Sequence, residues 1–139
     1  MQILVIHSNQ YKIGAVGNTT SCESLDFLMS SEATYQASAD GLFDLLERIS
    51  HEGLYNISDK LSHCVDSNEK IYELIKGKLR LFYFKTEDDF LIICTTALIK
   101  KSQAVDQKHV KKAIRLKHEY LDAVKQNTLT VIEENENGD

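Results

Sequence analysis

The segment that decides the fold is residues 71–101, IYELIKGKLRLFYFKTEDDFLIICTTALIKK. It predicts three strands joined by two turns. The first turn is predicted at Gly77, because glycine readily takes the positive φ that a tight hairpin needs. The second is predicted at the polar run 86–89. The apolar run 90–93 predicts a central strand that is covered on both faces.

The strand that follows Gly77 alternates with a period of two. One face carries Leu79, Leu81 and Tyr83, and the other carries Arg80, Phe82 and Phe84. This alternation is typical of a β-strand.

The rest of the chain predicts further strands and helices. Residues 2–7 predict a strand, and residues 9–20 a loop or irregular hairpin. Helices are predicted at 21–31 with Ser21 as N-cap, at 38–51 with Ser38 or Asp40 as N-cap and Gly53 past the end, and at 107–125 with Asp106 as N-cap. Residues 54–69 predict a connecting loop, with or without one helical turn near residues 60–64. Residues 128–132 have strand character, and residues 133–139 are predicted to be disordered.

Length and composition predict one domain at residues 1–127, followed by a short strand-like segment and an acidic tail at 128–139. No apolar run reaches the roughly 18 residues of a membrane span, so we expect no membrane association. The N-terminal segment MQILVIHSNQ lacks the basic region of a signal peptide. The three cysteines are an odd number without repeated spacing, which fits a reducing compartment. We therefore expect a cytoplasmic protein.

The formal net charge of −5 conceals an asymmetry along the chain. Residues 1–69 hold three basic and ten acidic residues, and residues 126–139 hold four acidic and no basic residues. Residues 70–125 hold thirteen basic and seven acidic residues, a surplus of six positive charges. This middle segment is a candidate surface for a polyanion. A solvated, lysine-rich helix face explains the same surplus equally well.

The pattern of histidines and cysteines indicates neither a metal site nor a cofactor. His63 and Cys64 are adjacent, but the chain contains no pair of ligands at the spacing of a zinc site. Cys94 lies in an apolar strand, where buried thiols usually only pack. Neither metal binding nor a cysteine nucleophile is predicted.

The basic residues of the predicted sheet are the stronger signal: Lys76, Lys78, Arg80, Lys85, Lys100 and Lys101. Cleavage of RNA without a metal requires a base for the 2′-hydroxyl, a cation for the phosphorane and an acid for the 5′ leaving oxygen. Arginine and lysine suit the second requirement, and tyrosine or lysine the third. Strict alternation, however, places Tyr83 opposite Arg80, so a bulge would be needed to bring both to one face.

The segments IYELIKGKLRLFYF, IKKSQ and KKAIRLKHEYL together resemble the phage-derived branch of the RelE/HigB toxins of type II toxin–antitoxin systems. The resemblance is strongest over residues 71–121 and extends weakly to 38–53. The shared features are a tyrosine–glutamate pair at Tyr72 and Glu73, an arginine followed by aromatic residues at Arg80, and a lysine pair at 100–101 followed by Gln103.

The resemblance implies an α+β fold in which N-terminal helices pack on a small, twisted, mostly antiparallel sheet, with a C-terminal helix. It also implies a metal-independent mRNA endoribonuclease that acts in association with translation and is neutralised by a cognate antitoxin protein. The expected partners are therefore the antitoxin, mRNA and the ribosome. Residues 1–127 would form the RelE/HigB-like domain.

The resemblance also implies roles for particular residues. Arg80, Lys100, Lys101 and Tyr83 are the expected catalytic residues, with Arg80 stabilising the phosphate and Tyr83 the weakest of the set. Contacts to RNA are expected from Lys76, Lys78, Lys85, Gln103 and Lys112. Glu73 also has a purely structural interpretation, a hairpin salt bridge to a neighbouring lysine or arginine. A second hypothesis stays open: a non-catalytic, phage- or plasmid-encoded binding protein on the same scaffold that acts through a protein partner.

Overall fold

The computed structural model describes residues 1–104 and 106–133, which form a seven-stranded sheet and three α-helices. The strands are β1 (Gln2–Ser8), β2 (Lys12–Val16), β3 (Ser62–Asp66), β4 (Ile71–Lys76), β5 (Leu79–Lys85), β6 (Ile92–Ile99) and β7 (Thr130–Ile132). The helices are α1 (Glu23–Met29), α2 (Gln36–Glu52), which continues a 3-10 turn at Ala33–Tyr35, and α3 (Gln107–Lys125).

The strands lie in the order β3-β4-β5-β6-β2-β1-β7. The meander β3-β4-β5-β6 is antiparallel, and so is the β1–β2 hairpin. The hairpin joins the meander through a parallel pairing of β2 with β6, and β7 adds to β1 in parallel. The sheet is therefore mixed, with β6 at its centre.

The predicted fold class is wrong. The chain begins with a β-hairpin, not with helices, and the seven-stranded mixed sheet dominates the molecule where a small antiparallel sheet was expected. The reason is that the resemblance was strongest over residues 71–121, which contain only β4, β5, β6 and most of α3. The strands that widen the sheet lie outside that segment, and two of their pairings join residues that are far apart in sequence.

Each face of the sheet carries its own hydrophobic core. On one face, Leu79, Leu81 and Tyr83 of β5 pack with the buried leucines of α2. On the other face, Phe82 and Phe84 pack with the buried residues of α3, including Val110, Ala113 and Tyr120. The predicted alternation of β5 is thus confirmed, and so is a central strand covered on both faces, since Ile92 and Ile93 of β6 belong to different cores.

Several local predictions are confirmed by backbone geometry. Gly77 has φ +55° in the β4–β5 turn, and Gly53 has φ +78° just past the end of α2. Asp106 caps α3 by accepting hydrogen bonds from the backbone N–H groups of Lys108 and His109. The loop-or-hairpin prediction for residues 9–20 resolves as a hairpin, in which β2 pairs with β1.

The other two helix caps were predicted wrongly, and the loop predicted at 54–69 is interrupted by a strand. α1 begins after Cys22, and α2 begins after Tyr35, neither with a side-chain cap. The 3-10 turn leads directly into α2, so the chain is already helical where a capping residue was expected. The polar segment Ser62–Asp66 forms β3, and no other strand of the described residues pairs with its outer side. The predicted disorder of the C-terminal tail falls mostly on residues 134–139, which lie outside the described residues.

Candidate nucleic-acid interface: a cationic cleft

A cleft of about 1090 Å³ opens between the sheet and the N-terminal half of α3, and α1 borders it. We call it the cationic cleft. Its floor is formed by Glu73 of β4, Arg80 and Phe82 of β5 and the C-terminal end of β6. The connection from β6 to α3 and the first three turns of α3 supply the cationic wall: Lys100, Lys101, Lys108, Lys111, Lys112 and Arg115.

The charge of the cleft is opposite to that of the whole chain. Seven lysine and arginine side chains line the cleft, against the three carboxylates of Glu23, Glu73 and Asp106. The local surplus is four positive charges, whereas the chain as a whole carries −5. A concave surface lined by charges of one sign concentrates the field and attracts ligands of the opposite sign. The cleft is therefore suited to a polyanion.

Arg80 is fixed at the floor of the cleft by the turn that precedes it. Its Nη1 donates hydrogen bonds to the carbonyl oxygens of Gly77, at 2.8 Å, and Leu79, at 2.9 Å. Its Nε lies 3.6 Å from Oε1 of Glu73, a salt bridge in which both side chains are nearly buried. The hairpin salt bridge that the structural interpretation of Glu73 predicts is present. Because the guanidinium is held in place, binding an anion would cost little side-chain entropy.

Glu73 is the one buried acidic side chain among the described residues. Its second carboxylate oxygen, Oε2, lies 3.7 Å from Nδ1 of His63, the residue directly opposite it on β3. Taking a carboxylate out of water is costly unless charged or hydrogen-bonding partners compensate. The sequence thus places a buried carboxylate next to the cleft's central cation.

His109 lies in the first turn of α3 and faces the floor of the cleft. Its ring meets the Phe82 ring edge-on, with centroids 6.5 Å apart and planes at 77°. Its Nδ1 is buried and has no hydrogen-bond partner among the described residues. Buried polar atoms nearly always have a partner, and exceptions occur at catalytic groups.

The cleft brings together four of the residues predicted from the sequence: Arg80, Lys100, Lys101 and Lys112. The other five are elsewhere. Lys76 packs beside Gly41 of α2, and the Nζ of Lys85 lies 4.5 Å above the Tyr72 ring, both on the α2 face of the sheet. Lys78 and Gln103 are exposed and do not line the cleft, and Tyr83 is buried.

Tyr83 belongs to the core beneath α2, on the opposite face of the sheet from Arg80. Its hydroxyl shares a 2.8 Å hydrogen bond with Ser62 of β3, and its ring stacks on Tyr72. Burial raises the pKa of the Tyr83 hydroxyl to about 12. The β5–β6 pairing does contain an irregularity, but it does not turn Tyr83 toward the cleft. Tyr83 and Arg80 therefore cannot contact the same phosphate.

Of the α3 residues that line the cleft, only Lys112 was predicted from the sequence; Lys108, His109, Lys111 and Arg115 were not. Lys108, Lys111, Lys112 and Arg115 follow one another at helical spacing, so they share a face of α3. That spacing was visible in the sequence, but it does not tell which way the face points. Packing of Val110, Ala113 and Tyr120 on the sheet settles the orientation and turns the basic residues toward Arg80.

Among the described residues, no group of three or more histidine, cysteine, aspartate or glutamate side chains is arranged to hold a metal ion. No helix in the described part of the chain is both long enough and apolar enough to cross a membrane.

Comparison with known families places these elements in one group of proteins. The sequence model described as "Phage derived protein Gp49-like (DUF891)" matches residues 26–118. The match runs from within α1 to within α3 and includes every cleft-lining residue except Glu23. The search of curated proteins returns no match. Because the family model covers well over half of the 139 residues, the chain belongs to the phage-derived Gp49-like family.

Proposed function

We propose that this protein is an mRNA endoribonuclease toxin of the RelE/HigB type, which acts in association with translation and is neutralised by a cognate antitoxin. The observation that carries the proposal is the cationic cleft, in which three lysines expected from the resemblance meet around a fixed arginine that the resemblance also predicts. Membership of the phage-derived family supports it.

The cleft residues divide into two groups with different tasks. Arg80, fixed by two carbonyl oxygens and paired with Glu73, stabilises the phosphorane that forms at the cleaved linkage. The lysines on the β6–α3 connection and on α3 are exposed or half-buried, and they hold the flanking phosphates of the strand. Such backbone contacts position the RNA without reading its sequence.

The test is induced expression of the chain in a bacterial host, with growth and mRNA integrity followed over time. The Lys100→Ala/Lys101→Ala variant removes two cleft charges. Its matched control is Lys60→Ala/Lys125→Ala, which removes two exposed lysines that do not line the cleft. We expect wild type and control to arrest growth and fragment mRNA, and the cleft variant to do so weakly.

Two outcomes would contradict the proposal. Wild-type protein that accumulates in folded form without cutting mRNA is not a ribonuclease toxin. Equal mRNA fragmentation by the cleft variant and the control would show that RNA is bound elsewhere. Thermal unfolding of the purified variants separates loss of function from loss of fold.

One observation favours the second hypothesis, a non-catalytic binding protein. Arg80 already has two backbone acceptors and a carboxylate partner, so it also serves to brace the β4–β5 turn. A protein that uses Arg80 only in this way would retain the cleft as a docking surface and cut no RNA. The expression experiment distinguishes the two hypotheses, because only the toxin produces mRNA fragments.

A further inference from the structure

RNA cleavage without a metal requires a proton acceptor and a proton donor in the cleft, in addition to a cation. The resemblance offered Tyr83 and the lysine pair for proton transfer. Tyr83 lies on the opposite face of the sheet. The following inference rests on the proposed function and concerns which groups of the same cleft transfer the protons.

Four carboxylate or imidazole side chains line the cleft: Glu23, Glu73, Asp106 and His109. Two of them are committed elsewhere. Glu23 forms an ion pair with Lys112 at the rim, and Asp106 accepts two backbone hydrogen bonds as the N-cap of α3. The ionic partners of Glu73 are Arg80 and His63, which lie 3.6 and 3.7 Å away, beyond hydrogen-bond distance. Glu73 and His109 are therefore the remaining pair.

Glu73 has the position that a base requires. Its carboxylate is nearly buried in the floor of the cleft, and Oε1 lies 3.6 Å from Nε of Arg80. A phosphate bound to Arg80 would therefore bring its attached ribose next to this carboxylate. Reacting groups held at such proximity gain most of the entropic advantage of an intramolecular reaction.

His109 approaches the same position from the wall formed by α3. Phe82 is the direct cross-strand partner of Glu73, and the His109 ring contacts the Phe82 ring edge-on. The carboxylate and the imidazole thus flank one aromatic side chain, at the point where Arg80 is fixed. Nδ1 is buried, so Nε2 is the ring nitrogen that remains to exchange a proton with a bound ligand.

We propose that Glu73 is the general base and His109 the general acid of RNA cleavage in this cleft. The Glu73 carboxylate takes the proton of the 2′-hydroxyl, and the 2′ oxygen forms a bond to phosphorus. The bond from phosphorus to the 5′ oxygen breaks, and protonated His109 gives its proton to that oxygen. The products are a 2′,3′-cyclic phosphate and a free 5′-hydroxyl, so atoms and charge balance without a metal or redox partner.

The test uses the full chain with ribosome-bound mRNA, and it compares two substrates at the site that wild type cuts. One has the natural linkage, and the other has sulfur in place of the 5′-bridging oxygen. A thiolate leaves without protonation, so the sulfur substrate needs no general acid. His109→Gln should lose about 10²- to 10⁴-fold in rate on the natural linkage and almost nothing on the sulfur substrate. Glu73→Gln should lose a similar factor in cleavage rate on both substrates.

Matched controls are Glu87→Gln and His51→Gln, because both residues are exposed and neither lines the cleft. Both should cut like wild type. Glu73→Asp, which keeps a carboxylate, should recover part of the rate that Glu73→Gln loses. Thermal unfolding and binding of an uncleavable 2′-O-methyl RNA establish that each variant is folded and still binds.

The outcomes separate this inference from the proposed function. If wild type cuts neither substrate, the ribonuclease function itself is refuted. If wild type cuts and both variants stay within threefold of its rate, the assignment of Glu73 and His109 is refuted and the ribonuclease function stands. A loss in His109→Gln that is equal on both substrates would show that His109 does not protonate the leaving group.

Discussion

Salt dependence of RNA binding gives a quantitative test of the cationic cleft. Binding of a single strand releases counterions, and each neutralised phosphate contributes about −0.7 to the slope of log K against log salt concentration. The cleft has seven cationic and three acidic side chains, a surplus of four. If the surplus sets the number of neutralised phosphates, the slope should be about −2.8.

That slope predicts a large effect over a convenient range. Raising monovalent salt fourfold should weaken binding by about 50-fold. Lys100→Ala removes one cleft charge, so its slope should be about −2.1 and its loss over the same range about 18-fold. Lys60→Ala removes an exposed lysine outside the cleft and should keep the wild-type slope.

The assay is fluorescence anisotropy with a labelled 2′-O-methyl RNA. The protein cannot cut this RNA, because the methylated 2′ oxygen cannot attack the phosphate. Titrations at several salt concentrations give the slope for wild type, Lys100→Ala and Lys60→Ala. A wild-type slope shallower than about −1 would refute binding through the cleft charges. Equal slopes for the two variants would refute the assignment of Lys100 to the contact surface.

Three further predictions concern side chains outside the proposed chemistry. Tyr83→Phe should lower the free energy of unfolding by about 1 kcal/mol in urea titrations, because one part-buried hydrogen bond is lost. The same variant should cut RNA like wild type. A large loss of cleavage in the folded variant would contradict the placement of Tyr83. Gly77→Ala should lower the free energy of unfolding by about 1–2 kcal/mol, because alanine is strained at a φ of +55°. The clash between the new Cβ and Oγ of Ser38 should lower it further. Adding Ser38→Ala should restore only the stability that the clash removes. Full recovery of the free energy of unfolding would show that the backbone carries no strain. Burial raises the pKa of Asp88, but hydrogen bonds from Tyr120, Thr86 and the backbone outweigh it and lower that pKa, so the folded state should lose stability as pH falls below about 4. Burial, followed by the hydrogen bond to Asp88, raises the pKa of Tyr120, so stability should also fall as pH rises above about 10. Tyr120→Phe should weaken both dependences in thermal unfolding, and unchanged pH profiles would contradict this coupling.

The elements that could be predicted are those whose signal is local. The alternation of β5 separates two apolar faces, and the turn at Gly77 needs a positive φ that few other residues tolerate. α3 carries its own start signal in Asp106 and an apolar stripe that packs on the sheet. In each case the information lies within a few neighbouring residues, so the sequence alone predicts the element.

The order of the strands could not be predicted, because it depends on contacts between distant residues. β2 pairs with β6 across roughly eighty residues of chain, and β7 pairs with β1 from the opposite end of the described residues. β3 was missed for a different reason. It is an edge strand with exposed His63 and Cys64, so it lacks the alternation of a half-buried strand.

The candidate site likewise has a part that local sequence signals predict and a part that depends on contacts between distant residues. Arg80 and the lysine pair could be named from the sequence, because they lie next to the hairpin that carries the resemblance. The roles that we propose for Glu73 and His109 depend on the packing of α3 against β4 and β5, which brings residues from separate segments into one cleft. No periodicity within either segment indicates that contact.

The contrast between the acidic chain and the basic cleft has a consequence for how RNA would reach it. At physiological ionic strength, charges further apart than about 8 Å are largely screened from one another. The net charge of −5 therefore supplies no long-range attraction for RNA, and its repulsion is largely screened, whereas the cleft's surplus of four positive charges acts at contact distance. Binding energy would come from phosphates already inside the cleft, not from steering free RNA toward it. Such a charge distribution suits a protein that meets its RNA already held by a larger assembly, which is the setting that the function we propose requires.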